Sequence, residues 1–331
     1  MTNKSISRFD FWLDKLSALM TEAKAAQDPA YFLYTNDART IAFMLEALAK
    51  LYGNLQNKKR FKTLAAHFKE LEDLIGAVDH YDNAAKDFAE NTQIPVTVTA
   101  YLRDKKNASL QALNSVLISN KWLKKNGRIG KIRAKLLKTE APSAGKEIAF
   151  IEKFYHAEIE EIEMFVKEGN TGFTEMETQV HELRRKLRWL SIYPKALQGI
   201  IQLTETEEAE VMDATYTPPA IVNSPFVKMP EPGLEPCYLF LEKNYFLALS
   251  YVIAALGKIK DNGLNIFVLS EALEATENIP SAEAANIAAT IIAGNQDAVQ
   301  KLLLEASALI HDYMAKGYLK QLVVNVNCIG N

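Results

Sequence analysis

His181, Arg184, Arg185 and Arg188 stand at i, i+3, i+4 and i+7 in the sequence. On an α-helix that spacing draws them into one stripe, beside an apolar seam of Val180, Leu183, Leu187 and Leu190. Like charges at i,i+4 cost about 0.2–0.5 kcal/mol each, so such a stripe gains most when oxygen anions are set against it. The planar guanidinium fork donates two parallel hydrogen bonds to a phosphate, and histidine adds a donor that charges near neutrality. The chemistry on offer is anion capture. The competing reading is structural: an arginine beside an apolar seam lays its stem on the core and solvates its head.

A second basic run lies earlier in the chain. Lys121, Lys124, Arg128, Lys131, Lys135 and Lys138 recur at spacings of three and four, with Trp122, Ile129, Ile132 and Leu136 as the apolar side, which predicts one cationic helix face broken at Gly127 or Gly130. Its structural reading is a solvated lysine surface. Lys58, Lys59, Arg60 and Lys62 form a smaller cluster at a predicted helix start, where cations oppose the helix dipole. The remaining histidines point elsewhere: His156 sits among Glu158, Glu160, Glu161 and Glu163, an acidic helix face, and His67, His80 and His311 have no partners at ligand spacing. No glycine-rich phosphate loop, nucleophile elbow or H-E-x-x-H pair is present. The sequence therefore predicts neither a metal nor a cofactor.

The elements that must carry these residues are helical. Apolar residues recur at three and four spacing through nearly every segment, as in Ile41, Met44, Leu45, Leu48 and Leu51, so the chain reads as all-α. Only Val96 to Leu102 and Leu322 to Cys328 alternate as strands do. Thr139 to Gly145, TEAPSAG, divides the chain into predicted bundles over 1–140 and 146–331. Within the second, Thr204 to Pro236 holds six of the eleven prolines and reads as an extended excursion over the surface.

Charge follows the same division. Residues 1–150 carry 24 Lys and Arg against 16 Asp and Glu, whereas residues 151–331 carry 14 against 25, although the whole chain is only −3. That asymmetry points to an anionic partner for one face, or to docking of one half on the other. Cys237 and Cys328 are far apart in sequence and match no zinc or redox spacing, which suggests a reducing compartment. The N-terminal segment carries charge inside its apolar stretch, and no uncharged apolar run approaches about 18 residues, so neither a signal peptide nor a membrane span is expected. The expected location is cytoplasmic. Basic stretches without interleaved exposed aromatics disfavour a single-strand nucleic-acid groove.

The two halves also echo each other. Leu71 to Asp82, LEDLIGAVDHYD, parallels Val252 to Asn262, VIAALGKIKDN, with Gly76 opposite Gly257 at an offset of 181. TNDARTIAFMLEAL around Asn36 and Arg39 lies on VHELRRKLRWLSIY around His181 and Arg184 at an offset of 145. The difference, 36, is close to the length of the proline-rich excursion, so one insertion in the second copy accounts for both offsets. The expected architecture is a duplicated bundle of about four helices per half.

VHELRRKLRWL resembles the signature helix of the CHAD family, the conserved histidine α-helical domain, in which His-x-x-Arg and further basic residues open each of two repeated halves. Leu256, Gly257 and Asp261, with the run around Gly76, look like that family's second repeated element. The resemblance follows nearly the whole chain in order and rests on about forty motif residues. It implies two pseudo-symmetric helical bundles whose basic residues line a shared groove and bind inorganic polyphosphate without catalysis. Its site residues here would be His181, Arg184, Arg185, Arg188 and Arg39, supplemented by Lys124, Arg128, Lys131 and Lys135. The first half departs from the pattern: Asn36 replaces the histidine, and Thr40 and Phe43 fall opposite Arg185 and Arg188. Two alternatives stand beside polyanion binding. One is a metal-dependent phosphohydrolase using His181 and Asp261, and the other a helical protein-interaction scaffold that has lost its ligand.

Overall fold

The computed structural model describes residues 4–140, 142–169, 172–206 and 213–328. Two compact units divide at Pro142 and Ser143.

The first unit is helical throughout its described residues: α1 (Lys4–Ala25), α2 (Pro29–Thr35), α3 (Ala38–Leu55), α4 (Lys58–Ala89), α5 (Val96–Ser119) and α6 (Arg128–Leu136). α4 is the central element, packed along α3 and α5. Its buried Phe61, Leu64, Phe68, Leu71, Ile75 and Val78 keep the three-four spacing over about five turns. Asn57 starts it, accepting from the Arg60 backbone N–H at 3.0 Å. The strand-like alternation at Val96 to Leu102 is helix. Pro95 occupies the N-cap, and Val98, Leu102, Leu110, Leu113 and Leu117 form a buried stripe, so packing of that stripe outweighs the β propensity of two valines and two threonines.

The second unit is predominantly helical with a small sheet that the all-α expectation omitted. α7 (Ala144–Glu168) is followed by a π-helical turn (Met176–His181) running into α8 (Glu182–Ala196). β1 (Ile201–Thr204), a one-turn α9 (Pro219–Val222) and β2 (Cys237–Glu242) precede the 35-residue α10 (Lys243–Glu277). α11 (Ser281–Ala293), α12 (Ala298–Ala315) and β3 (Val323–Cys328) complete the chain. The strand order is β1-β2-β3, β1 parallel and β3 antiparallel to β2. Glu242 joins sheet to helix: its backbone N–H donates to the Leu322 carbonyl, and its buried carboxylate caps α10 through the Tyr245 N–H at 2.8 Å.

Between β1 and β2 the proline-rich excursion has only α9 and a 3-10 turn, Ala214–Tyr216, among its described residues; 207–212 lie outside them. It is pinned at Tyr216. That ring is buried against Tyr251, Tyr313 and Tyr318, and its hydroxyl donates to Asp312 at 2.6 Å. Among the described residues no helix is long and apolar enough to cross a membrane.

The cysteines correct the sequence reading. Cys237 and Cys328 face each other in the β2–β3 register and form a disulfide, although 91 residues separate them. Distance in sequence carried no information because antiparallel pairing supplies the proximity. A structural disulfide belongs to an oxidising environment rather than the reducing one expected. By loop closure, reduction or Cys328→Ser should lower the stability of the second unit by about 2–4 kcal/mol. Urea unfolding with and without reductant checks this, and Cys328→Ser should abolish the reductant effect.

Candidate functional site

The cationic ridge begins on the π-helical turn and continues along α8, where Val180, Leu183, Leu187 and Leu190 are buried. His181 and Arg184 are half-buried, Arg185 is exposed and Arg188 is half-buried. Arg184 turns inward. Its Nε donates to the Ile253 carbonyl at 3.1 Å, and its guanidinium lies against Gly257, where an added Cβ would stand 3.1 Å from Nε. Burial disfavours the charge of that guanidinium and nearby Asp261 favours it. Arg185 pairs with Glu182 at 2.7 Å, one turn back on the same helix.

His181 places Nδ1 3.4 Å from Glu177 Oε2, and that nitrogen is buried with no hydrogen-bond partner. Its pKa is lowered, first by burial; Glu177 opposes this, while Lys260, Arg185 and Arg184 reinforce it. Desolvation is thus the main reason that the neutral ring is favoured, and the neighbouring field includes Lys260 of α10, which helical spacing could not reveal.

The first half repeats the geometry with different charges. Arg39, near the start of α3, lies across Gly76 of α4, where an added Cβ would fall 2.7 Å from Nη2. Arg39 Nε donates to Glu72 Oε1 at 2.7 Å and Nη1 to Asp79 Oδ2 at 3.0 Å. Glu72 is 8% exposed; burial raises its pKa and the charge and hydrogen bond of Arg39 oppose the rise. Arg39, a sequence candidate for anion contact, thus holds two carboxylates of its own unit. Asn36 stands where the motif histidine would be and hydrogen-bonds back to the Phe32 carbonyl at 2.8 Å.

The lysine-rich stretch is not one helix face. Asn120–Gly127 forms a loop in which Lys121 and Asn126 adopt left-handed backbone, and α6 begins only at Arg128. Lys121 and Lys124 are loop residues, whereas Lys131 and Lys135 project from α6. Arg128 holds the loop and α4 together, donating to the Asn120 carbonyl at 3.1 Å, to Asn120 Oδ1 at 3.0 Å and to His67 Nε2 at 3.1 Å. Arg133 binds Asp10 and Asp14 of α1, and Arg60 donates to the Lys138 carbonyl at 3.1 Å. These arginines fasten α1, α4 and α6.

Lys58, Lys59, Lys62, Lys121, Lys124, Lys125, Lys131, Lys135 and Lys138 are all exposed, and none has a carboxylate partner among the described residues. Sequence reasoning missed the role of His67, which sits 61 residues from Arg128 in the chain. Its pKa is lowered by burial, then by Arg128 and Lys135. Among the described residues no three His, Cys, Asp or Glu side chains converge as metal ligands. Compared with known proteins, the chain matches no family model, no curated protein and no solved structure.

Two predictions follow from these pairings. Arg39→Ala leaves Glu72 buried without its partner and should cost about 1–3 kcal/mol, while Arg184→Ala, whose hydrogen-bond partner is a neutral carbonyl, should cost about 0.5–1.5. Chemical denaturation of both variants tests the ranking, and adding Glu72→Gln should recover part of the Arg39→Ala loss. For His67, the depressed folded pKa means that folding favours the neutral ring. Its contribution is fully present above the unfolded value of about 6.5 and is lost as pH falls through the folded value. Thermal unfolding from pH 7.5 to 5 should show this loss, and His67→Gln should flatten it.

Proposed function

We propose that the chain is a duplicated, CHAD-type helical protein that binds a linear polyanion, inorganic polyphosphate, without chemistry. The observation that carries the binding reading is the unneutralised lysine surface of the first unit. Arg60 ties the start of α4 to the end of α6 and Arg128 ties α6 to the 120–127 loop and to α4, which supports reading the nine ammonium groups as one surface rather than as scattered charges. No Asp or Glu occurs within 58–67 or 121–138. A flexible phosphate chain suits lysine, whose ammonium is a point charge that needs no fixed docking angle. Affinity then arises from many weak contacts and from release of condensed counterions.

The duplication is supported by the two arginine–glycine crossings: Arg39 on Gly76 and Arg184 on Gly257, each joining an early helix to the long central one. In the second unit, Arg184 and Arg185 lie near His181 and Lys260, with Arg185 paired to Glu182 and Lys260 to Asp261. Arg39 and Arg128 are engaged in contacts within the first unit and do not meet the ligand.

Fluorescence or calorimetric titration with long-chain polyphosphate tests the reading, with a mononucleotide and duplex DNA as controls. Affinity should fall steeply with salt, by about 0.7–0.9 log units per log salt for each phosphate neutralised. Lys131→Ala/Lys135→Ala/Lys138→Ala should weaken binding at least tenfold and reduce that slope, with stability changed by less than about 0.5 kcal/mol. A flat salt response, or full affinity in the triple variant, overturns the lysine-surface assignment.

A further inference from the structure

A second cluster of charged side chains, in the other half of α4, surrounds a cleft that the polyanion reading does not use. Asp82 and Lys86 on α4 and Glu90 at its C-cap follow one another at i, i+4 and i+8, facing Arg103, Lys106 and Asn107 at i, i+3 and i+4 on α5. Between the two rows lies a cleft of about 500 Å³, floored by Ala85 and Ala89. That size falls within the roughly 300–1,000 Å³ of small-ligand sites.

Asp82 organises the cleft without being available to a ligand. Tyr34 of α2 donates to its Oδ2 at 2.8 Å, Lys86 lies 2.7 Å from Oδ2 and Lys106 lies 2.6 Å from Oδ1. Burial alone would raise its pKa, but the hydrogen bonds from Lys106, Lys86 and Tyr34 outweigh that and bring it to about 2. Its side chain is 10% exposed. Each ammonium uses one N–H on Asp82 and retains two, because a lysine head carries three donors. Arg103 is exposed and has no carboxylate partner among the described residues. Three cations therefore line the cleft against Asp82 and Glu90, leaving a positive surplus, with the Glu90 carboxylate and Asn107 amide at the same rim.

We propose that this cleft binds a small phosphorylated polyol, a sugar phosphate in chemical class, with its phosphate on Arg103, Lys86 and Lys106 and its hydroxyls on Glu90 and Asn107. The guanidinium supplies the bidentate fork that phosphate oxygens accept, and the two tethered ammoniums supply fixed charge at little ordering cost. A carboxylate and an amide serve hydroxyl groups, as acceptor and as donor and acceptor respectively. The site is separate from the lysine surface: Lys62 and Lys86 are 24 residues apart on α4, roughly 36 Å along its axis.

Isothermal titration calorimetry of the full chain with glucose 6-phosphate tests this, with glucose and inorganic phosphate as parallel probes. Saturable binding of the hexose phosphate, weaker binding of phosphate and none of glucose are expected. Arg103→Ala should reduce hexose-phosphate affinity at least tenfold at unchanged melting temperature, and Glu90→Gln/Asn107→Ala should bring it down to that of phosphate. The lysine-surface triple variant should bind the hexose phosphate as tightly as wild type. Absence of saturable binding, equal affinity for hexose phosphate and phosphate, or full affinity in Arg103→Ala overturns the proposal. A loss confined to the lysine-surface variant also overturns it, because the probe would then be reading the other site.

Discussion

A guanidinium crossing a glycine on a long helix is the constraint on which each unit turns. Arg39 can reach Glu72 and Asp79 only because Gly76 presents no side chain; a Cβ there would stand 2.7 Å from Nη2. Arg184 reaches the Ile253 carbonyl across Gly257 under the same restriction. In both units the crossing joins the helix that begins with the motif to the longest helix, α4 in one and α10 in the other. Glycine inside a helix costs about 0.8–1 kcal/mol relative to alanine. A polar contact between buried helices offsets that cost where a carboxylate such as Glu72 would otherwise have no partner.

A related division of labour holds among the basic residues of 58–62 and 120–138. Arginines there face inward: Arg128 ties the loop to His67, Arg133 ties α6 to α1, and Arg60 closes on the Lys138 carbonyl. The lysines of these two stretches are exposed and have no carboxylate partner among the described residues. The planar fork with five donors suits fixed multi-partner contacts, whereas a long flexible ammonium arm gains little from a single surface pair. A local charge surplus is the consequence, and it persists although the chain as a whole is −3. Net charge averages over the acidic second unit and hides the local field that a ligand meets.

The helical character was legible because three-four apolar spacing reports directly on which side of a helix is buried, and α4 shows it over about five turns. The echo of Gly76 in Gly257 was legible as a pattern, but its physical content, an arginine lying across each glycine, was not. That contact joins residues 37 positions apart in the first unit and 73 in the second, and no local period encodes it. Three-dimensional pairing also hid the Cys237–Cys328 bond, the His67–Arg128 bond and the short strands β1 and β2, whereas β3 falls within the alternating run Leu322 to Cys328. The lysine stretch misled for a local reason. Its spacing continues through 120–127, where left-handed backbone at Lys121 and Asn126 interrupts the helix that the spacing implied.

The two crossings differ where function would be decided. Glu72 lies four residues before Gly76, and the corresponding place before Gly257 is Ile253; Asp79 lies three residues after Gly76, and the corresponding place is Lys260. Arg39 is therefore enclosed by two carboxylates, while Arg184 meets a neutral carbonyl and a helix row that carries a lysine, itself paired with Asp261 at 2.6 Å. One geometry yields a cancelled charge in the first unit and a largely retained one in the second. The histidine follows the same partition: Asn36 beside the cancelled arginine carries no proton to gain, whereas His181 beside the retained one is a neutral ring whose protonation a nearby anion would favour. A helix pair can thus keep its packing while its electrostatic role is switched by two residues on the facing helix. Within the second unit, that switch leaves Arg184 hydrogen-bonded to a carbonyl rather than to a carboxylate, with Asp261 as the acid that favours its charge.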